Sequence, residues 1–228
     1  MSRYVLLSIM LLAAGCSSWL HRDTPPVQTY ILRAAASPPL VTGAAGAAET
    51  TGVAPVGRAI DTAASTPTLQ LSRPSADPGL STQLITLVRS DRRMDYYMGS
   101  QWAAELPEVV ETLAIDTLRA SGNWGAVHDS PSPYASDYTL QVTIRRFEAD
   151  YTGGGEVPQV HVMLDCALAR RIGRELVASF VVEGTAEATE NRMGPVVAAF
   201  EKAANLALRD MAERSAAAVK TLAVTSNP

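Results

Sequence analysis

Histidine is scarce in this chain of 228 residues, with only His21, His128 and His161 present. No two of them have the H-x-x-x-H type of spacing that sets a pair of imidazoles around a metal ion. Each therefore reads as a solvated surface side chain, and no metal site is expected. A G-x-S-x-G nucleophile elbow is missing, which removes the α/β-hydrolase arrangement. Gly153-Gly154-Gly155 lacks the following Lys-Ser/Thr of a phosphate loop and reads instead as a hairpin turn. Carboxylates are scattered singly. Glu183 and Glu187 fall on one strand face, but both read as solvent-exposed, so nothing there would split their pKa values for acid–base work. No catalytic residue and no cofactor are expected. Basic charge is also thin, with 19 Lys+Arg against 23 Asp+Glu and a net charge of -4. Without a basic stripe, nucleic acid is not a partner. The pairs Arg145-Arg146 and Arg170-Arg171 read as solvated strand ends and turns.

Cysteine is scarcer still, limited to Cys16 and Cys166. Cys16 closes a run with three parts: one basic residue, Arg3, an apolar stretch from Tyr4 to Ala14, then small residues. Those are the parts of a secretory signal. The apolar stretch is about half of the roughly 20 residues that cross a bilayer. Leu11-Leu12-Ala13-Ala14-Gly15-Cys16 resembles a bacterial lipobox, with Ala13 where lipoboxes usually carry Leu. The expectation is a signal peptide over residues 1–15 and a mature chain beginning at an acylated Cys16. Several acyl chains on that cysteine would make the membrane anchor close to permanent. Ser17 follows, where enteric lipoproteins retained at the inner membrane have Asp. That resemblance places the protein on the periplasmic face of the outer membrane. With Cys16 acylated, Cys166 has no disulfide partner, and its place on an apolar strand face makes it a small buried hydrophobe.

The rest of the chain divides by composition. A tether over residues 16–26 precedes a short strand, Val27 to Leu32. Residues 34–67 are Ala, Gly, Pro, Thr and Ser with few large apolar side chains, and cannot bury enough surface to offset ordering entropy. This is a flexible insertion within one domain of residues 27–222, followed by a fraying tail over residues 223–228.

Order resumes with Leu69 and Leu71 alternating with polar neighbours, up to Pro74. Leu84 to Val88 and Met94 to Met98 read as a hairpin turning at Asp91-Arg92. A helix follows from about Ala103 to Ala120, with Leu106, Val110, Leu113 and Thr117 on one stripe. Pro107 suits its first turn, and Ser121-Gly122 stops it. Short and then long strands come next: Trp124 to His128, a set with Tyr138, Leu140, Val142 and Ile144 inward, then Val160 to Leu168, then Leu176 to about Ala188. Phe147 is out of phase with its set, which predicts a bulge near Arg145-Arg146. A last helix from Pro195 to Val219 buries Val196, Phe200, Ala203, Ala207 and Met211. The predicted fold is α+β, a two-layer sandwich of a mainly antiparallel sheet with two amphipathic helices on one face.

One aromatic group, Tyr96, Tyr97 and Trp102, gathers at the hairpin-to-helix junction. It reads as a packing cluster closing one end of the core, and alternatively as a partner-docking or lipid-contact patch. The stretch Met94-Asp95-Tyr96-Tyr97, Gln101-Trp102-Ala103, Leu106-Pro107, then Ser121-Gly122 before Val127 resembles the core of the ABC-type transport auxiliary lipoproteins, the PqiC/YmbA-like family. Tyr30-Ile31-Leu32, Leu69 with Arg73-Pro74, and Val197-Ala198-Ala199-Phe200 with Ala203 extend the likeness. The resemblance implies a non-enzymatic subunit of a system that moves lipids or other hydrophobic compounds between two membranes. Its implied partners are an Mce-domain periplasmic protein and an ABC permease and ATPase, with self-association into a homo-oligomer a further contact. The alternative is an envelope lipoprotein that regulates cell-wall or other envelope machinery.

Overall fold

The computed structural model describes residues 26–35 and 66–225. The expected signal peptide, Cys16, His21 and nearly all of the expected tether and insertion lie outside the described residues.

In chain order the elements are β1 Gln28–Tyr30, β2 Thr68–Leu71, β3 Ser75–Ala76, β4 Leu84–Val88, β5 Met94–Trp102 and α1 Leu106–Ala120. They continue with β6 Ala126–His128, β7 Tyr138–Asp150, β8 Gln159–Arg170, β9 Leu176–Glu187 and α2 Met193–Thr225. The nine strands form one sheet. Its long part is the antiparallel meander β7-β8-β9. Along the other edge of β7, the short strands β2, β3 and β4 pair in succession, all parallel to it. β6 extends the sheet beyond β2, while β5 and then β1 extend it beyond β4. The long pairings are antiparallel, as expected from the sequence, and the short parallel ones could not be read from strand length or pattern.

Alternation explains which face is buried. Leu140, Val142 and Ile144 on β7, Val160, Val162, Leu164, Cys166 and Leu168 on β8, and Leu69 and Leu71 on β2 are all buried. The predicted bulge is present: the β7-β8 register shifts between Ile144 and Arg146, which returns Phe147 to the inner face. Both helices cover this face. α2 lies across β8 and β9, and α1 packs against α2, β6 and β3. The expected stripe of α2, Val196, Phe200, Ala203, Ala207 and Met211, is fully buried. Its alanines let the helix come close to the sheet, and Gly184 on β9 sits under that contact.

Several boundaries differ from the sequence reading, and β1 is shortened to Gln28–Tyr30. β5 continues to Trp102 because the β4-β5 register shifts between Leu84 and Thr86, and Gly99 takes a positive φ of 68°. α1 starts at Leu106, not Ala103, with Pro107 in its first turn. β6 starts at Ala126, because Trp124 and Gly125 precede the pairing and Gly125 lies against the Thr66 carbonyl. α2 runs on to Thr225, since the Ala-rich stretch after Ser215 holds no Gly or Pro to stop it. Arg145 and Arg146 are not at a strand end. They lie in mid-β7 at the bulge, where Arg145 pairs with Asp77 at 2.9 Å and Asp165 at 2.6 Å. Arg146 pairs with Glu148 at 2.7 Å and Asp150 at 3.1 Å.

Candidate functional site

The alternation of β5 sends its three aromatic residues to different places. Trp102 points inward and is 1% exposed. Its ring meets Phe147 and Phe200 edge-on, at 6.0 Å and 5.3 Å between centroids. It ties β5 to α2 through the core. Tyr96 is half-buried and donates its hydroxyl to the Gly79 carbonyl at 3.2 Å. Tyr97 is half-buried too, and its hydroxyl lies 2.9 Å from that of Tyr151. The structure therefore does not gather the three on one surface. Trp102 belongs to the core, and the two tyrosines belong to the loop end of the sheet.

At that end three connections converge: the β4-β5 turn, the β7-β8 turn and the β9-α2 connection. The β4-β5 turn holds Arg92 at a positive φ of 64°. The β7-β8 turn is the predicted glycine turn, with Gly154 at φ 75°. The three enclose a cleft of about 500 Å³ whose lining includes Arg89, Asp91, Tyr151, Gly154 and Asn191. Tyr151 donates to Asn191 Oδ1 at 2.8 Å. With that proton committed, Tyr97 is the donor to Tyr151. Burial, and then the bond to Tyr151, push the Tyr97 phenol well above its usual range, so it stays neutral. Arg89 is neutralised by Asp95 at 2.9 Å. The Tyr96 N–H, and then Arg89, hold the Asp95 carboxyl below its ordinary value. Two phenols, an amide and a paired guanidinium can bind polar groups, but they offer no activated nucleophile.

Beside this cleft, the outer face of the sheet carries a charge ladder. Glu148 is 7% exposed and is neutralised by Arg146. Burial works against the charge of Asp150, but the Thr152 hydroxyl and N–H and the His161 and Arg146 charges outweigh it, so its carboxyl sits below the usual value. His161 is half-buried, with Nε2 4.0 Å from Asp150 Oδ2. His128 stacks on Tyr134 at 5.2 Å. Among the described residues, no group of three His, Cys, Asp or Glu is placed to hold a metal ion. Cys166 is 2% exposed, and burial pushes its thiol up to about 12. Glu183 and Glu187 are exposed on β9.

Two further features escaped the sequence reading. Asn205 of α2 clamps the chain after β1. Its Nδ2 donates to the Arg33 carbonyl at 2.9 Å and its Oδ1 accepts from the Ala35 N–H at 2.7 Å. Glu201 adds a bond from the Arg33 N–H at 3.0 Å. An asparagine on a helix gives no sequence sign of this role. The second feature is at the opposite end of the sheet, where the β8-β9 turn brings Arg174 beside Arg170 and Arg171 at a cleft of about 410 Å³.

A family model described as ABC-type transport auxiliary lipoprotein component matches residues 52–212. A solved structure from Xanthomonas campestris, of the family model DUF330, superposes with a TM-score of 0.65 at 23% identity, covering 69% of this chain and 88% of that one. A second, of an uncharacterized protein, gives 0.52 at 18% identity, covering 69% and 92%. Both are likenesses of fold. No curated protein matches the chain. The matched segment spans every strand except β1, the whole of α1 and most of α2, and on that ground the chain belongs to the ABC-type transport auxiliary lipoprotein family.

Proposed function

We propose that the protein is a non-catalytic lipoprotein subunit of an ABC/Mce-type system that moves lipid or other hydrophobic compounds between membranes. It is held on the periplasmic face of the outer membrane by acylated Cys16 and docks an Mce-domain protein with its permease and ATPase. Self-association into a homo-oligomer belongs to the same reading. The observation that carries it is the family match over residues 52–212 in a chain that also holds the Leu11-to-Cys16 run.

The fold supports this division of labour. Among the described residues β1 pairs only with β5, at the edge of the sheet, so the chain enters the fold at its rim. Val27 and Ile31 on either side of it are about half exposed, at 53% and 56%. The Asn205 clamp secures the chain immediately after β1. Tyr96 and Tyr97 are the residues of the aromatic group left for a partner, with Trp102 bracing their strand from below.

Metabolic labelling with radioactive palmitate, followed by separation of inner and outer membranes, tests the anchor and its location. Label in the outer-membrane fraction, abolished by Cys16→Ser, is the expected result. Unlabelled protein in the soluble fraction would refute the anchored reading.

A further inference from the structure

We infer that the end of the sheet away from the tyrosines is a binding site for an anionic phospholipid. Its phosphate diester lies among Arg170, Arg171 and Arg174, and an acyl chain runs along Ala167, Ala169 and Leu176. The inference rests on the transport reading only for its setting, since the site itself is built from residues on β7, β8, β9 and their turn.

The turn sets the charge. Arg170 donates its N–H to the Glu175 carbonyl at 2.8 Å, which closes the loop and brings three arginines together within five residues. Arg171 is fixed in place: its Nη1 donates to Gln70 Oε1 at 2.6 Å and to Ser136 Oγ at 3.1 Å. Arg174 has no carboxylate partner among the described residues. Two acidic groups lie near. Glu175 makes a loose, exposed pair with Arg170 at 3.5 Å. Asp137 is occupied by the Thr68 N–H and hydroxyl, both at 2.8 Å. The local balance is positive in a chain whose net charge is -4. Guanidinium groups bind phosphate through paired N–H donors, and one already held by neighbours loses little freedom on binding.

The apolar part argues for a lipid over a soluble anion. The cleft of about 410 Å³ includes Ala167 and Ala169 of β8 and Leu176 of β9, with Thr139 and Gln141 of β7. Ile172 at the turn tip is 85% exposed and Leu176 is 61% exposed. A free phosphate would leave these side chains and the alanines in water. An amphiphile covers them while its headgroup meets the arginines.

The test uses the full-length protein in nonionic detergent with a photoactivatable phosphatidylglycerol, and the labelled peptide is read by mass spectrometry. Label is expected between residues 159 and 176, or at Thr139 and Gln141 across the cleft. Phosphatidylcholine with the same chains keeps the phosphate diester but adds a choline cation that the arginine cluster repels, and should label about tenfold less, a difference of about 1.4 kcal/mol. The double substitution Arg170→Glu with Arg174→Glu should remove the label. Ala167→Phe, which fills the cleft without changing charge, should remove it as well. Equal labelling by both lipids, labelling elsewhere, or label that survives both variants would overturn the site. Glycerol phosphate competing as well as the lipid would make it a site for soluble phosphate and overturn the lipid assignment. Capture of transporter components from membranes reads the transport role without reading lipid contact, so the two ideas fail separately.

Discussion

Gly184 of β9 and Ala203 of α2 touch through their backbones: a Cβ built on Gly184 would lie 2.0 Å from the Ala203 carbonyl oxygen. This contact sets how closely α2 lies on the sheet, and it depends on a missing side chain. Gly184→Ala should therefore push the helix outward. Overpacking of this kind costs about 1–3 kcal/mol. Thr185→Ala, one residue on and facing solvent, should stay within about 0.5 kcal/mol. Urea midpoints of the two variants make the comparison, and equal values would mean the helix seat is not set at Gly184.

The aromatic group should separate in the same kind of experiment. Trp102 packs on Phe147 and Phe200, and Trp102→Ala should cost about 3–5 kcal/mol. Tyr96→Phe removes only the bond to the Gly79 carbonyl, worth about 0.5–1.5 kcal/mol. If Trp102→Ala does not fold, Trp102→Phe should still lie well below Tyr96→Phe in denaturant midpoint.

The two cysteines give a chemical count. Burial pushes the Cys166 thiol up to about 12, so the folded protein should be inert to a thiol reagent at about pH 8. In denaturant, protein taken from native membranes should titrate one thiol, because acylation blocks Cys16. Two thiols would show that Cys16 is free.

Asp150 supplies a pH dependence. Its folded carboxyl titrates below the unfolded value of about 3.9, so the folded state binds fewer protons there. The stability it contributes is complete above that value and is lost as pH falls through the folded value. Asp150→Asn should lower stability at neutral pH and flatten the acid limb of a stability curve below about pH 4. An unchanged acid limb would remove Asp150 as its source.

Arg174 sits at a φ of 53°, where a side chain costs about 1–2 kcal/mol. Arg174→Gly relieves that strain and returns about 0.4–1 kcal/mol of freedom to the unfolded chain. The variant should be slightly more stable than the parent by thermal melt, and should label less with phosphatidylglycerol. A less stable variant would show that Arg174 is held by contacts other than those described.

Residues with strong periodicity were readable before the structure. Leu140 to Phe147 disclosed both the inner face and the bulge, because a slip of one residue reverses every side chain. Val196 to Met211 disclosed the buried stripe of α2. The parallel pairing of β2, β3 and β4 along β7 was not readable, since strands of two to five residues carry too little pattern to fix partner or direction. Tyr96, Tyr97 and Trp102 stand together in sequence, but strand alternation and a register shift separate them in space. Arg174 and Asn205 stayed hidden because turn geometry brings the one beside Arg170 and Arg171 and helix facing brings the other to the chain after β1, neither of which residue type discloses.

The transport role is tested most directly by affinity capture of the full-length protein from native membranes, with mass spectrometry of the proteins that come with it. An Mce-domain protein together with an ABC permease and its ATPase is the expected result, reduced when Cys16→Ser releases the chain from the membrane. Recovery of cell-wall enzymes instead, or of no transporter component at all, would contradict it.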